Sequence, residues 1–152
     1  GLLVITDAIL NRVTENWRAG RRTHVYLDEF HVVYENPYSS MFFISAWRRF
    51  RKRNAFPTGI TQNVEYLLDN TSARSMLSNS EFIVMHNQAA SDREKLAVLF
   101  NISEQRMSYI TNAEAGHGLM KIGNALVPFV NRFPKNTELY RRMTTKPNEK
   151  FE

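Results

Sequence analysis

The chain has 152 residues, 43% of them aliphatic or aromatic, with a formal charge of +5 from 20 Lys and Arg against 15 Asp and Glu. That is enough for one domain with a real core, and no apolar run approaches the roughly 18 residues of a bilayer-crossing helix. Cysteine is absent, which excludes disulfides and thiolate metal sites and fits a reducing compartment, the cytoplasm by default.

Ile5, Ile9, Val13 and Trp17 recur every four residues while Asp7, Asn11, Arg12 and Glu15 fall elsewhere. This spacing predicts an amphipathic helix over 2–17, ended by Gly20. His24 to Leu27 reads as a short strand that runs into two adjacent acids, Asp28 and Glu29, with apolar residues resuming at Phe30, Val32 and Val33. Asn36-Pro37 then breaks the pattern, and Ser39 or Ser40 is expected to cap a helix bearing Phe43, Trp47 and Phe50 on one side. The last turns of that helix hold Arg48, Arg49, Arg51, Lys52 and Arg53, where cations suit the helix dipole.

"FPTGITQ" follows as a compact strand, "VEYLLDNTSARSMLSN" as two short helices, and "EFIVMHN" as a strand of the buried type. Ser91 and Glu94 form a capping box for a helix from Asp92 to Phe100, and 103–111 suggests another helix. In "HGLMKIGNALVPFVNRF" two apolar runs meet at Gly123-Asn124, a hairpin signal, and 134–152 is a polar tail. The expected fold is α/β: a mostly parallel sheet flanked by helices with a C-terminal β-hairpin, in a single domain over 1–152.

A carboxylate leaving the C-terminal end of a parallel strand sits where α/β sheets bind ligands. In ATP-driven motors the first acid of such a pair holds Mg²⁺ and the second polarises the attacking water. Asp28 and Glu29 have that order, although a bare Asp-Glu pair more often opens a solvated loop. Gln62 ends the next strand, and its amide, both donor and acceptor, can sense a γ-phosphate or orient water. The basic cluster between them suits bidentate contact with phosphate oxygens, as an arginine finger, a nucleic-acid contact or a solvated helix end.

The "VYLDEF" strand, the basic helix and a strand ending "TQN" resemble the distal half of the ATPase domain of the hexameric FtsK/HerA motors. "ITDAILNRVTENWRAGRRTHVYLDEFHVV" and "AGHGLMKIGNALVPFVNRFP" are most similar to the conjugative type IV secretion ATPases, the TraC/TraE class of conjugative plasmids and integrative elements. The resemblance covers nearly the whole chain. It implies a RecA-like P-loop NTPase fold, ATP and Mg²⁺ as cofactors, Mg²⁺ coordination by Asp28, water activation by Glu29 (the Walker B acids) and γ-phosphate sensing by Gln62. The family's finger arginine, about three helical turns ahead of the glutamine, falls on Arg51, with Arg53 and Arg48 as fallbacks. The implied partners are the other subunits of a homo-hexamer and the secretion-channel proteins, with DNA as a further candidate, on the cytoplasmic face of the cell membrane.

A motor of this kind needs a loop GxxxxGK[ST] to cradle the phosphates. The sequence holds none: "GHGLMKIG" places Lys121 before Ile122 and reads as strand and turn. The chain is therefore expected to be the C-terminal part of an ATPase domain, without the Walker A segment and inactive by itself. The histidines His24, His31, His86 and His117 lack zinc-protease spacing and read as structural, no nucleophile elbow is present, and the methionines read as core fillers. Two other readings stay open: a non-catalytic nucleic-acid-binding or assembly module that uses Arg48 to Arg53, and a DNA-pumping coupling-protein relative.

Overall fold

Helix α1 (Leu2–Arg18) buries Thr6, Leu10 and Val13, whereas Ile5 and Trp17 of the expected apolar row are 58% and 49% exposed. A row taken every fourth residue drifts about 40° per step around the helix, so one contact stripe cannot hold all four members. The computed structural model that shows this describes residues 2–62 and 64–144. The chain divides between Asn79 and Ser80 into two compact units.

In the first unit α1 ends as its composition dictates. The N–H of Gly20 donates to Trp17 O (3.0 Å) and that of Arg21 to Asn16 O (2.8 Å). Gly20 has φ +69°, and a Cβ there would meet nothing, so only the left-handed backbone calls for glycine. Strand β1 (Thr23–Leu27) lies parallel to β2 (Ala55–Gly59), in register from Thr23↔Ala55 to Leu27↔Gly59. Between them a 3₁₀ turn (Phe30–Tyr34) leads into α2 (Pro37–Lys52), which carries the chain back to the start of β2.

The cap of α2 is Asn36 and not Ser39 or Ser40. Its Oδ1 accepts from the N–H groups of Tyr38 (2.9 Å) and Ser39 (3.4 Å), with Pro37 pre-setting the first helical φ. Both serines lie inside the helix, and Ser40 is buried. Alternation along β1 and β2 turns Val25 and Ala55 toward α1 and α2, where they pack with Leu10, Val13, Ala46 and Phe50. One turn earlier on α2, Phe43 joins a second cluster with Phe30, Val33, Tyr34, Leu67 and Ala73. Full burial of a side chain such as Phe50 contributes about 1.5–3 kcal/mol, so α2 ties the sheet to the 3₁₀ turn. Helices α3 (Val64–Asp69) and α4 (Thr71–Ser78) follow as expected, α4 capped by Asn70.

The second unit corrects the expected topology. Strands β3 (Phe82–Met85), β4 (His117–Ile122) and β5 (Ala125–Val130) form an antiparallel sheet in the order β3-β4-β5, so the molecule's strands are not mostly parallel. The connection through α5 (Ala90–Phe100), α6 (Glu104–Met107) and a 3₁₀ turn (Ser108–Ile110) starts β4 beside the end of β3, where Met85 pairs with Leu119. The chain must then run backward along its neighbour. Nor is β3 buried on both faces: Met85 is enclosed while Phe82 and Val84 are 65% and 51% exposed, as suits an antiparallel sheet covered on one side.

Helix α5 starts at Ala90 behind Ala89, with no side-chain cap, so the expected capping box of Ser91 and Glu94 does not form. Ser91 falls inside the first turn instead of in front of it. The hairpin at Gly123-Asn124 is present, with Gly123 at φ +55°. In the tail, Thr137 caps a short helix α7 (Glu138–Met143) by accepting from the Tyr140 N–H, and residues 145–152 lie outside the described residues. No helix among the described residues is long and apolar enough to cross a membrane.

Candidate functional site

The parallel ladder continues one step past its last rung. The Ile60 N–H donates to Leu27 O (2.8 Å) and the Phe30 N–H donates to Ile60 O (2.8 Å). Asp28 and Glu29 are therefore the two residues by which β1 arches over Ile60, and Thr61 and Gln62 continue from that same point. All four leave the C-terminal rim of one strand pair. Within the arch Asp28 Oδ1 accepts from the Glu29 N–H (2.9 Å), and Glu29 takes the left-handed conformation, φ 49° and ψ 46°. For a residue with a side chain this costs about 1 kcal/mol or more and persists only where the surroundings fix it.

What fixes it is Phe30. Its buried ring meets Tyr34 at 5.4 Å, Phe43 at 5.7 Å and Trp47 at 5.3 Å between centroids. It also lies flat against Gly59, where an added Cβ would stand 2.7 Å from the ring. Glycine at the end of β2 thus lets the aromatic anchor close over the strand and hold the acid at the rim.

His31, read from the sequence as merely structural, belongs to this rim. Its Nδ1 lies 3.4 Å from Glu29 Oε2 and 3.1 Å from Thr61 Oγ1, and its side chain is 18% exposed against 50% for Glu29. The Tyr66 ring stands edge-on to it at 6.5 Å. Spacing along the chain could not reveal Thr61, because the contact spans thirty positions and depends on the register of β1 and β2.

The arginines stand elsewhere. Arg53 closes α2 immediately before β2, and the Thr23 N–H donates to Asn54 O at the start of the strand pair. Arg51 and Arg53 are thus separated from the rim by the five residues of β2, about 16 Å of strand. Arg53 is committed within its own unit, its Nη1 donating to Thr14 Oγ1 (2.6 Å). Arg51 is exposed, and Arg48 and Arg49 border a shallow surface hollow with Met41, Ile44 and Ser45. Gly118 and Lys121 of "GHGLMKIG" lie within β4, in keeping with the rejection of that stretch as a phosphate loop.

Nucleotide-bound Mg²⁺ takes one or two protein carboxylates and otherwise waters and phosphate oxygens. Asp28 fits such a share: it is exposed, and among the described residues only its Oδ1 is engaged, by the Glu29 N–H. Among the described residues no group of three or more His, Asp or Glu could hold a metal ion by itself, so a cation here would be held jointly with phosphate.

No protein-family model matches the chain, and no curated protein matches it. Among solved structures it is similar to VirB4 of Thermoanaerobacter pseudethanolicus, with 26% sequence identity and a TM-score of 0.67. The match covers 74% of this chain and 32% of that one, so the chain spans about a third of its relative's length. In sequence and in fold together, the chain is similar to VirB4, in line with its resemblance to the type IV secretion ATPases.

Proposed function

We propose that this chain is the C-terminal part of the RecA-like ATPase domain of a conjugative type IV secretion motor, a hexamer that hydrolyses ATP to drive DNA or protein transfer or channel assembly. The observation that carries the reading is the shared rim: Asp28 and Glu29 end one parallel strand, Thr61 and Gln62 follow its neighbour, and Phe30 pins the two exits together. The likeness to VirB4 supports it at the level of the family.

Bound Mg²⁺·ATP would supply the electrophilic phosphorus and neutralise the charge of the leaving group. Asp28 would hold a share of the cation. Glu29 accepts a hydrogen bond from the attacking water and orients it. Gln62 reads the terminal phosphate through its amide. Arg51, in the last turn of α2 and so at the opposite end of β2 from the rim, serves a neighbouring subunit's site and makes hydrolysis depend on assembly.

ATP hydrolysis by the chain alone and by the protein extended upstream through its phosphate loop tests this. The chain alone is expected to show none. The extended protein is expected to turn over ATP and to lose about a hundredfold or more of kcat in Glu29→Gln. Turnover by the isolated chain that Glu29→Gln abolishes would contradict its inactivity, and an inert extended protein would contradict the ATPase reading itself.

A further inference from the structure

We propose that His31 is a positioning residue that latches Glu29 to the turn carrying Gln62, an inference that rests on the rim's assignment as the site of hydrolysis. A single nitrogen, Nδ1, lies within reach of both the Glu29 carboxylate (3.4 Å) and the Thr61 hydroxyl (3.1 Å). A bare Nδ1 would turn its lone pair on the carboxylate, so the carboxylate assigns the proton to Nδ1. That N–H, hydrogen-bonded to the Thr61 hydroxyl and beside the Glu29 carboxylate, links the exit of β1 to the exit of β2.

The contact constrains a group that is otherwise loosely held. Glu29 is half exposed, and its carboxylate would sample many rotamers at an open rim. His31 is largely enclosed and is followed directly by Val32 and Val33 of the 3₁₀ turn, whose Val33 and Tyr34 are in the core. The imidazole therefore has a fixed root and presents one donor at the rim. Glu29 is held beside Thr61, one residue from Gln62, and a phosphate that draws Gln62 forward acts on Glu29 through the same ring. The acid and the amide then move as one unit.

The two amide isosteres of histidine separate this from a packing role. Asn places its side-chain N–H₂ near the position of Nδ1, and Gln places it near Nε2. In the chain as it stands, His31→Ala is expected to shift the NMR signals of the Glu29 carboxylate carbon and of the Thr61 and Gln62 amides. His31→Asn restores them and His31→Gln does not. In the extended protein His31→Ala is expected to lower kcat about tenfold with KM unchanged, again restored by Asn. Unmoved Glu29 and Gln62 signals in His31→Ala, or equal rescue by Asn and Gln, would overturn the latch whatever the protein's activity. An extended wild-type protein without turnover would instead sink the ATPase reading, and the NMR arm would still decide the contact.

Discussion

Leu27 faces Gly59 on the last rung of the parallel pair, and this one pairing brings the carboxylates and the glutamine to the same rim. A register slip of a single residue would turn the strand's inward face outward and separate the two exits. The geometry of the rim therefore depends on the core beneath it, where Val25 and Ala55 are fixed against α1 and α2.

The fit of Gly59 against Phe30 is the most sensitive part of that support. Gly59→Ala places a Cβ 2.7 Å from a ring that Tyr34, Phe43 and Trp47 prevent from moving aside. The substitution is expected to destabilise the chain by about 1–3 kcal/mol. Denaturant unfolding measures this, with a lower midpoint at constant slope as the expected result.

Helix α2 depends on Asn36 for its first turn. Asn36→Ala is expected to cost about 1 kcal/mol, and Asn36→Ser to recover most of it, by the same unfolding measurement. Ser39→Ala and Ser40→Ala leave the cap unaffected, since neither serine is placed to accept from the first-turn N–H groups.

Arg51 and Arg53 should differ in kind. Arg53→Ala removes the hydrogen bond to Thr14 and is expected to lower stability by about 1 kcal/mol while leaving the hydrolysis rate of the extended protein little changed. Arg51→Ala leaves stability as it is and lowers kcat about a thousandfold. With Arg51 serving a neighbour as proposed, mixing Arg51→Ala subunits with Glu29→Gln subunits is expected to restore part of the turnover that neither variant has alone.

Tyr34 couples stability to alkaline pH. Burial disfavours the phenolate and raises its pKa well above the ordinary value of 10.0, while its hydroxyl donates to Met76 Sδ. A folded-state value above the unfolded one means the contribution is complete below pH 10 and is lost as pH rises beyond it toward the folded value. Wild type should thus lose stability above pH 10 more steeply than Tyr34→Phe, in unfolding curves recorded on both sides of that pH.

Much of the first unit was legible in the sequence because its signals are local: Gly20, Asn36-Pro37 and the short strand before Asp28 act within a few residues. The helical cap was misassigned because Asn36 and the two serines are all good caps, and the proline at the next position decides in favour of Asn36. The mostly parallel sheet failed for a different reason. Strand direction is set by where a connection ends, and nothing in "EFIVMHN" tells whether α5 and α6 return the chain to the near or the far end of β3. Asp28 and Glu29 are legible as acids directly after a strand and Gln62 as an amide expected at the next strand's end, although β2 stops three residues earlier at Gly59. The contact of His31 is not legible, because its partner Thr61 becomes a neighbour only through the pairing of β1 with β2.

Whether Glu29 and Gln62 act on one phosphate, as proposed, is decided by a double-mutant cycle in kcat of the extended protein. Glu29→Gln and Gln62→Ala are each expected to lower kcat strongly, and together to cost hardly more than Glu29→Gln alone, as residues that work as a unit do. A Gln62→Ala variant with wild-type turnover, or losses that simply multiply, would contradict that proposal.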